Sequence, residues 1–124
     1  MSNRIYENTI ITGNLDVSGA FNGIKRYVAI LNQTGATPPT VTIIENTIGA
    51  VVWTRSVGGV YQATLAGAFT VGKTSVIISN GNTSNVLSSS SPSVNNVTVN
   101  SFNISGSQAD GLISSATLLI EVFP

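Results

Sequence analysis

A chain of 124 residues has room for one domain of ordinary size, and this one carries five basic and five acidic side chains, no His and no Cys. That inventory excludes zinc, haem and iron–sulfur ligation by the usual donors, and it excludes a Ser–His or Cys–His nucleophile, so no metal or other cofactor is expected. The balanced charge cannot build the basic face that phosphate neutralisation needs, which argues against nucleic acid as a partner.

The polar surface must come from elsewhere: 16 Ser, 14 Thr and 13 Asn far outnumber the ten charged residues. With 42% hydrophobic residues and zero net charge, the chain lies far from the composition of disordered segments. No apolar run approaches the ~18 residues of a membrane helix, so no membrane insertion is expected. The opening residues Met1 to Asn8 lack the apolar stretch of a signal peptide.

Residues 5–24 differ in pattern from residues 25–124. From Ile11 the odd positions read Ile11, Gly13, Leu15, Val17, Gly19, Phe21, and the even positions are polar apart from Ala20. Period two predicts a strand with one apolar face. No neighbouring strand of similar character is there to cover that face, so other copies of the same chain are its natural partner. Residues 1–24 are therefore read as an attachment and assembly stem, and residues 25–124 as a compact all-β head.

In the head, short apolar runs alternate with Gly, Asn, Ser and Pro, the pattern of an all-β domain. Strands are expected at Arg26–Leu31, Val41–Ile44, Ala50–Ser56, Val60–Ala66, Ser75–Ile78, Val94–Ile104 and Thr117–Phe123. Gly58-Gly59 between two such runs signals a hairpin. The Ser79–Ser93 tract, with four consecutive serines, reads as a long surface loop. Alternation through Val97 and Val99 changes parity at Phe102 and Ile104, which predicts a bulge near Asn100. The strand count suggests a β-sandwich, jelly-roll-like in arrangement.

Gly67-Ala-Phe-Thr-Val-Gly-Lys73-Thr74 fits the phosphate-binding loop pattern G-x-x-x-x-G-K-[ST]. The chemistry of that motif needs a helix N-terminus at Gly72–Thr74. Ser75-Val-Ile-Ile comes next instead, a strand, so a plain turn is expected. The carboxylates Glu7, Asp16, Glu45, Asp110 and Glu121 are scattered, without the close pair that acid–base catalysis on sugars requires, and the chain is read as no enzyme. Asp110 before Gly111 reads as turn chemistry. Tyr27, Trp53 and Tyr61 are the candidate ligand or interface aromatics, with core placement the simpler reading. Arg55 is expected over the Trp53 face or in solvent. Four Asn-x-Ser/Thr patterns, beginning at Asn32, Asn82, Asn96 and Asn103, are expected by chance in such a composition.

The segment Asn8-Thr-Ile-Ile-Thr-Gly-Asn-Leu-Asp-Val-Ser-Gly-Ala-Phe-Asn-Gly23 resembles the stem segments of bacteriophage tail and head fibres. The stretch from Tyr27 through Glu45-Asn-Thr-Ile-Gly and Val52-Trp-Thr-Arg-Ser to Gly67-Ala-Phe-Thr resembles a small β domain that recurs in phage structural proteins. The resemblance implies a homotrimeric virion appendage, made in the host cytoplasm and attached to capsid or tail through residues 1–10. It implies Ile11, Leu15, Val17 and Phe21 on a threefold axis, and a head that touches the host surface or a glycan. The alternative is a monomeric carbohydrate-binding β-sandwich with Trp53 and Tyr61 exposed.

Overall fold

The computed structural model describes residues 23–80 and 85–124, so the stem positions Ile11, Leu15, Val17 and Phe21 lie outside the described residues. Eight strands run in order: β1 (Lys25–Asn32), β2 (Thr40–Asn46), β3 (Val52–Val57), β4 (Val60–Thr64), β5 (Thr74–Ile78), β6 (Val86–Ser93), β7 (Asn96–Phe102) and β8 (Ala116–Val122). They form two antiparallel four-stranded sheets, A in the order β2-β1-β8-β5 and B in the order β3-β4-β7-β6. The pairings nest, with β1 on β8 and β4 on β7, and the hairpins β1–β2, β3–β4 and β6–β7 complete the two layers.

Alternation along the four central strands makes the core. Tyr27, Ala29 and Leu31 of β1 and Ala116, Leu118, Ile120 and Val122 of β8 point at Tyr61 and Ala63 of β4 and Val97 and Val99 of β7, all buried. Phe69 and Ile113, from the loops after β4 and before β8, complete the packing. Each large apolar side chain buried this way contributes about 1.5–3 kcal/mol. Trp53 Nε1 donates to Tyr27 Oη at 3.1 Å and so joins sheet B to sheet A through the core edge.

Two expectations fail here. The serine tract is not a loop throughout: Val86–Ser93 is β6, the edge strand of sheet B, paired with β7 from Val86↔Phe102 to Ser93↔Asn96. The serines are accepted because β7 supplies the ladder and Leu87 packs against the core. Pro92 falls where the register shifts between Ser90 and Ser93, the place an edge strand can take a residue with no N–H. The bulge expected near Asn100 is also absent. β7 keeps its parity through Ser101, which occupies the core side and donates its hydroxyl to the Ala109 carbonyl at 2.8 Å. Phe102 then lies on the other face opposite Val86, and Ile104 sits exposed in the loop beyond the strand.

The Gly58-Gly59 hairpin between β3 and β4 forms as expected. Gly59 adopts a φ of 76°, and a Cβ there would meet Ala109 N at 2.7 Å and Ser101 O at 2.8 Å. Gly111 has a similar φ of 77° with open space around it. Gly111→Ala should therefore cost about 1–2 kcal/mol of backbone strain. Gly59→Ala adds a backbone collision to that strain and should cost clearly more, read as the difference between the two urea midpoints. Equal midpoints would show that the β7–β8 loop yields freely.

Candidate functional site

The most concentrated polar chemistry lies where the β3–β4 hairpin meets the loop between β7 and β8. Arg55 is the fourth residue of β3 and shares the inner side of sheet B with Tyr61 across the ladder. Asp110 reaches them from the loop. Its Oδ1 accepts from Tyr61 Oη at 2.7 Å, from Gly59 N at 3.1 Å and from Arg55 Nε at 3.1 Å. Its Oδ2 accepts from Arg55 Nη2 at 2.7 Å and Nε at 3.0 Å. The fork of a guanidinium on a carboxylate is the strong form of this pairing. Arg55 thus binds Asp110 rather than stacking on Trp53, and Asp110 is a fastening as well as a turn residue.

Both oxygens of this carboxylate are engaged, which decides what it can do. The Arg55 hydrogen bonds, then that of Tyr61, hold the Asp110 carboxyl well below the usual carboxylate range, with the Gly59 amide adding to them. Burial pushes the Tyr61 hydroxyl up to about 12, and its bond to ionised Asp110 works in the same direction. An acid held ionised and a phenol held protonated make a structural latch; neither is poised to exchange a proton near neutral pH.

A second latch uses an amide. The buried Gln33 side chain donates to the carbonyls of Gly35 at 2.7 Å and Thr37 at 2.9 Å, and its oxygen accepts from Gly111 N at 2.6 Å. Among the described residues no buried side-chain polar atom lacks a partner, and no three acidic groups come together to hold a metal ion.

The candidate aromatics do not form a platform. Tyr27 and Tyr61 are 1% and 0% exposed, and Trp53 is partly buried against the core with its N–H turned to Tyr27. They present no stack of faces to a sugar ring. Gly72-Lys73-Thr74 leads into β5 with no helix after it, so the phosphate-loop pattern is a turn, and Thr74 donates its hydroxyl back to the Thr70 carbonyl at 2.9 Å. Lys73 and Lys25 line a cleft of about 360 Å³ at the end of the sandwich where the chain enters, with Ile48, Val122 and Phe123 along its wall. The Lys73 ammonium donates to the Pro124 carbonyl at 3.0 Å.

The outer faces of the two sheets distribute their apolar residues differently. On sheet B, Gln62 and Thr64 of β4 align with Thr98 and Asn96 of β7, and Asn100 with Ser88 of β6. That face is hydroxyl and amide along its middle, with Val52, Val60, Val86 and Phe102 at its margins. On sheet A, register places Val28 of β1, Leu119 of β8 and Ile77 of β5 in one row across three strands, with Ile30 beside it. Ile77 is 56% exposed. Arg26, paired to Glu121 at 2.8 Å and to Glu45 at 3.6 Å, closes one end of that face. Simple alternation does not single out these four apolar residues. Their signal is the unbroken runs Val28–Leu31, Leu118–Ile120 and Val76–Ile78, which are apolar on both parities and so mark strands with two apolar faces.

These features define an antiparallel β-sandwich with latched loops and an apolar row across the outer face of sheet A. Compared with family models, with curated proteins and with solved structures, the chain matches none.

The latch has a pH signature. A depressed carboxyl gives stability that is fully present above the unfolded-state value of about 3.9 and is lost as pH falls through the folded-state value. Wild type should therefore lose more stability between pH 6 and pH 2 than Asp110→Asn, measured by urea unfolding at each pH. Tyr61→Phe removes one hydrogen bond to a charged acceptor and should cost about 1–2 kcal/mol at neutral pH.

Proposed function

We propose that this chain is a structural subunit that assembles with copies of itself, and that it serves in a bacteriophage virion appendage, a short homotrimeric fibre or head fibre. The observation that carries the assembly is the apolar row Val28–Leu119–Ile77 on the outer face of sheet A, in which Ile77 is exposed and Val28 and Leu119 are partly so. A contiguous apolar patch on one face of a domain marks an interaction surface. The stem residues Ile11, Leu15, Val17 and Phe21 ask for the same kind of cover, since their alternation gives a strand with one apolar side and no partner nearby in sequence. Two unpaired apolar features on one chain are met together by association with itself. The virion role rests on the resemblance of residues 8–23 to fibre stems. In this role the head is a stiff scaffold, with the stem turned to the capsid or tail.

Light scattering should give a native mass near three times the 12.8 kDa of one chain. Removing residues 1–24 should lower that mass. Leu119→Lys, placed in the middle of the apolar row, should weaken association, whereas Gln62→Lys on sheet B should leave it unchanged. A native mass of one chain at every concentration would end the self-assembling reading.

A further inference from the structure

We propose that the cleft at the end of the sandwich binds a small organic anion, a carboxylate carried on a six-membered ring. Lys25 and Lys73 hold the charge, and Phe123 and Ile48 hold the ring. This goes beyond the self-assembling reading and does not depend on it. Charge points to the cleft first. Among the described residues Glu45, Asp110 and Glu121 are all engaged by arginines. Lys25 and Lys73 are left without an acidic side-chain partner there, and both line this one cleft of about 360 Å³. Two cations facing a shared concavity repel each other and raise the local concentration of anions.

Register brings the two lysines together. Lys25 pairs with Val122 on one side of β8, and Thr74, the residue after Lys73, pairs with Val122 on the other. Lys25 and Thr74 are thus two strand spacings apart, about 10 Å. Two flexible four-carbon stems can close that span on one group. Lys25 also has the parity of Tyr27, Ala29 and Leu31, which are buried between the sheets, yet Lys25 itself is exposed. β1 therefore sends a cation to the inner side of sheet A at the end where the cleft opens. The turn that carries Lys73 is held within the chain. The Thr70 carbonyl accepts from Lys73 N at 3.1 Å and from Thr74 Oγ1 at 2.9 Å, and Phe123 N donates to the Lys73 carbonyl at 2.8 Å. The Lys73 ammonium gives one hydrogen to the Pro124 carbonyl, and an ammonium has three.

The wall decides what body the anion carries. Ile48, Val122 and Phe123 line it, and Phe123 is 42% exposed. An inorganic anion would use the lysines alone and gain nothing from that wall, whereas a ring bearing a carboxylate uses both. The volume lies near the lower end for small-molecule sites, which suits a single ring. An apolar ring acid and a sugar acid share this chemistry, and the two are separated by experiment.

The test is a titration of the full chain followed by the nuclear magnetic resonance shifts of its backbone amides. The probes are cyclohexanecarboxylate, glucuronate, acetate and the neutral cyclohexylmethanol. Cyclohexanecarboxylate or glucuronate should shift Lys25, Ile48, Lys73 and Phe123 saturably and bind more tightly than acetate, while cyclohexylmethanol should not saturate. Tight binding of the first probe alone assigns apolar acids as the ligand class, and tight binding of glucuronate assigns sugar acids. Lys25→Gln and Lys73→Gln should each weaken the better probe roughly fivefold, with the urea midpoint unchanged. Binding of acetate as tight as that of either ring acid overturns the proposal. So do saturable shifts centred on Arg26 or Arg55, unchanged affinity in both glutamine variants, or no saturable shift with either ring acid.

Discussion

Strand β8 is hydrogen-bonded on both edges, to β1 through Lys25↔Val122 to Leu31↔Ala116 and to β5 through Thr74↔Val122 to Ile78↔Leu118. Its inner face is the largest single contribution to the core, with Ala116, Leu118, Ile120 and Val122 all buried. Its outer face holds Leu119 at the centre of the Val28–Ile77 row. A strand apolar on both sides is at home where both faces are covered, as in a sheet with layers above and below. Sheet B covers one side of sheet A. Nothing in the described residues covers the other, and the remaining features of the molecule stem from that imbalance.

The ends of the sandwich are handled differently from its faces. Loops there are held by polar groups spent inside the molecule: the Asp110 carboxylate on Arg55, Tyr61 and Gly59, and the Gln33 amide on Gly35, Thr37 and Gly111. Gly111 donates its N–H to Gln33 one residue after Asp110 grips the hairpin, so the β7–β8 loop is fixed to both sheets at adjacent positions. Such networks rigidify when each member is satisfied and are costly when one is not. The described residues contain none of the second kind. Among the described residues the carboxylates of Glu45, Asp110 and Glu121 are all paired with arginines, and the pH behaviour of Asp110 reports on loop anchoring.

Much of this fold was legible in the residues. Seven of the eight strands follow from apolar alternation bounded by Gly, Pro and Asn, and Gly58-Gly59 marked its hairpin. β6 was hidden because serine carries no strand signal of its own; Leu87 alone points inward with force, and pairing to β7 does the rest. The core role of Ser101 was hidden for a related reason: its hydroxyl is acceptable there only because the Ala109 carbonyl receives it, eight residues away. Arg55 and Asp110 are 55 positions apart, and no local pattern ties them. Tyr27 and Tyr61 suit core and surface equally as residue types, and tertiary partners for both hydroxyls, Trp53 and Asp110, decided for the core. The doubled apolar runs in β1, β5 and β8 were visible throughout, but reading them as outer-face signals needed the knowledge that these three strands are neighbours.

The proposed assembly of identical copies would give the composition a physical sense. Copies of one chain carry the same charges in the same places, so any net charge repels itself, and five against five removes that penalty. The same neutrality in an ordinary domain would invite indiscriminate association. The middle of the outer face of sheet B carries Thr, Asn, Gln and Ser, groups that stay hydrated without acting at a distance. Among the described residues most of the charge is paired, Arg26 with Glu121 and Glu45, Arg55 with Asp110. Lys25 and Lys73 have no such acidic side-chain partner among the described residues, and both line the cleft beside Gly23 and Pro124. In the proposed assembly, contact between copies would thereby be left to shape and apolar cover, which favours a defined seating over a long-range attraction that any oppositely charged surface would satisfy.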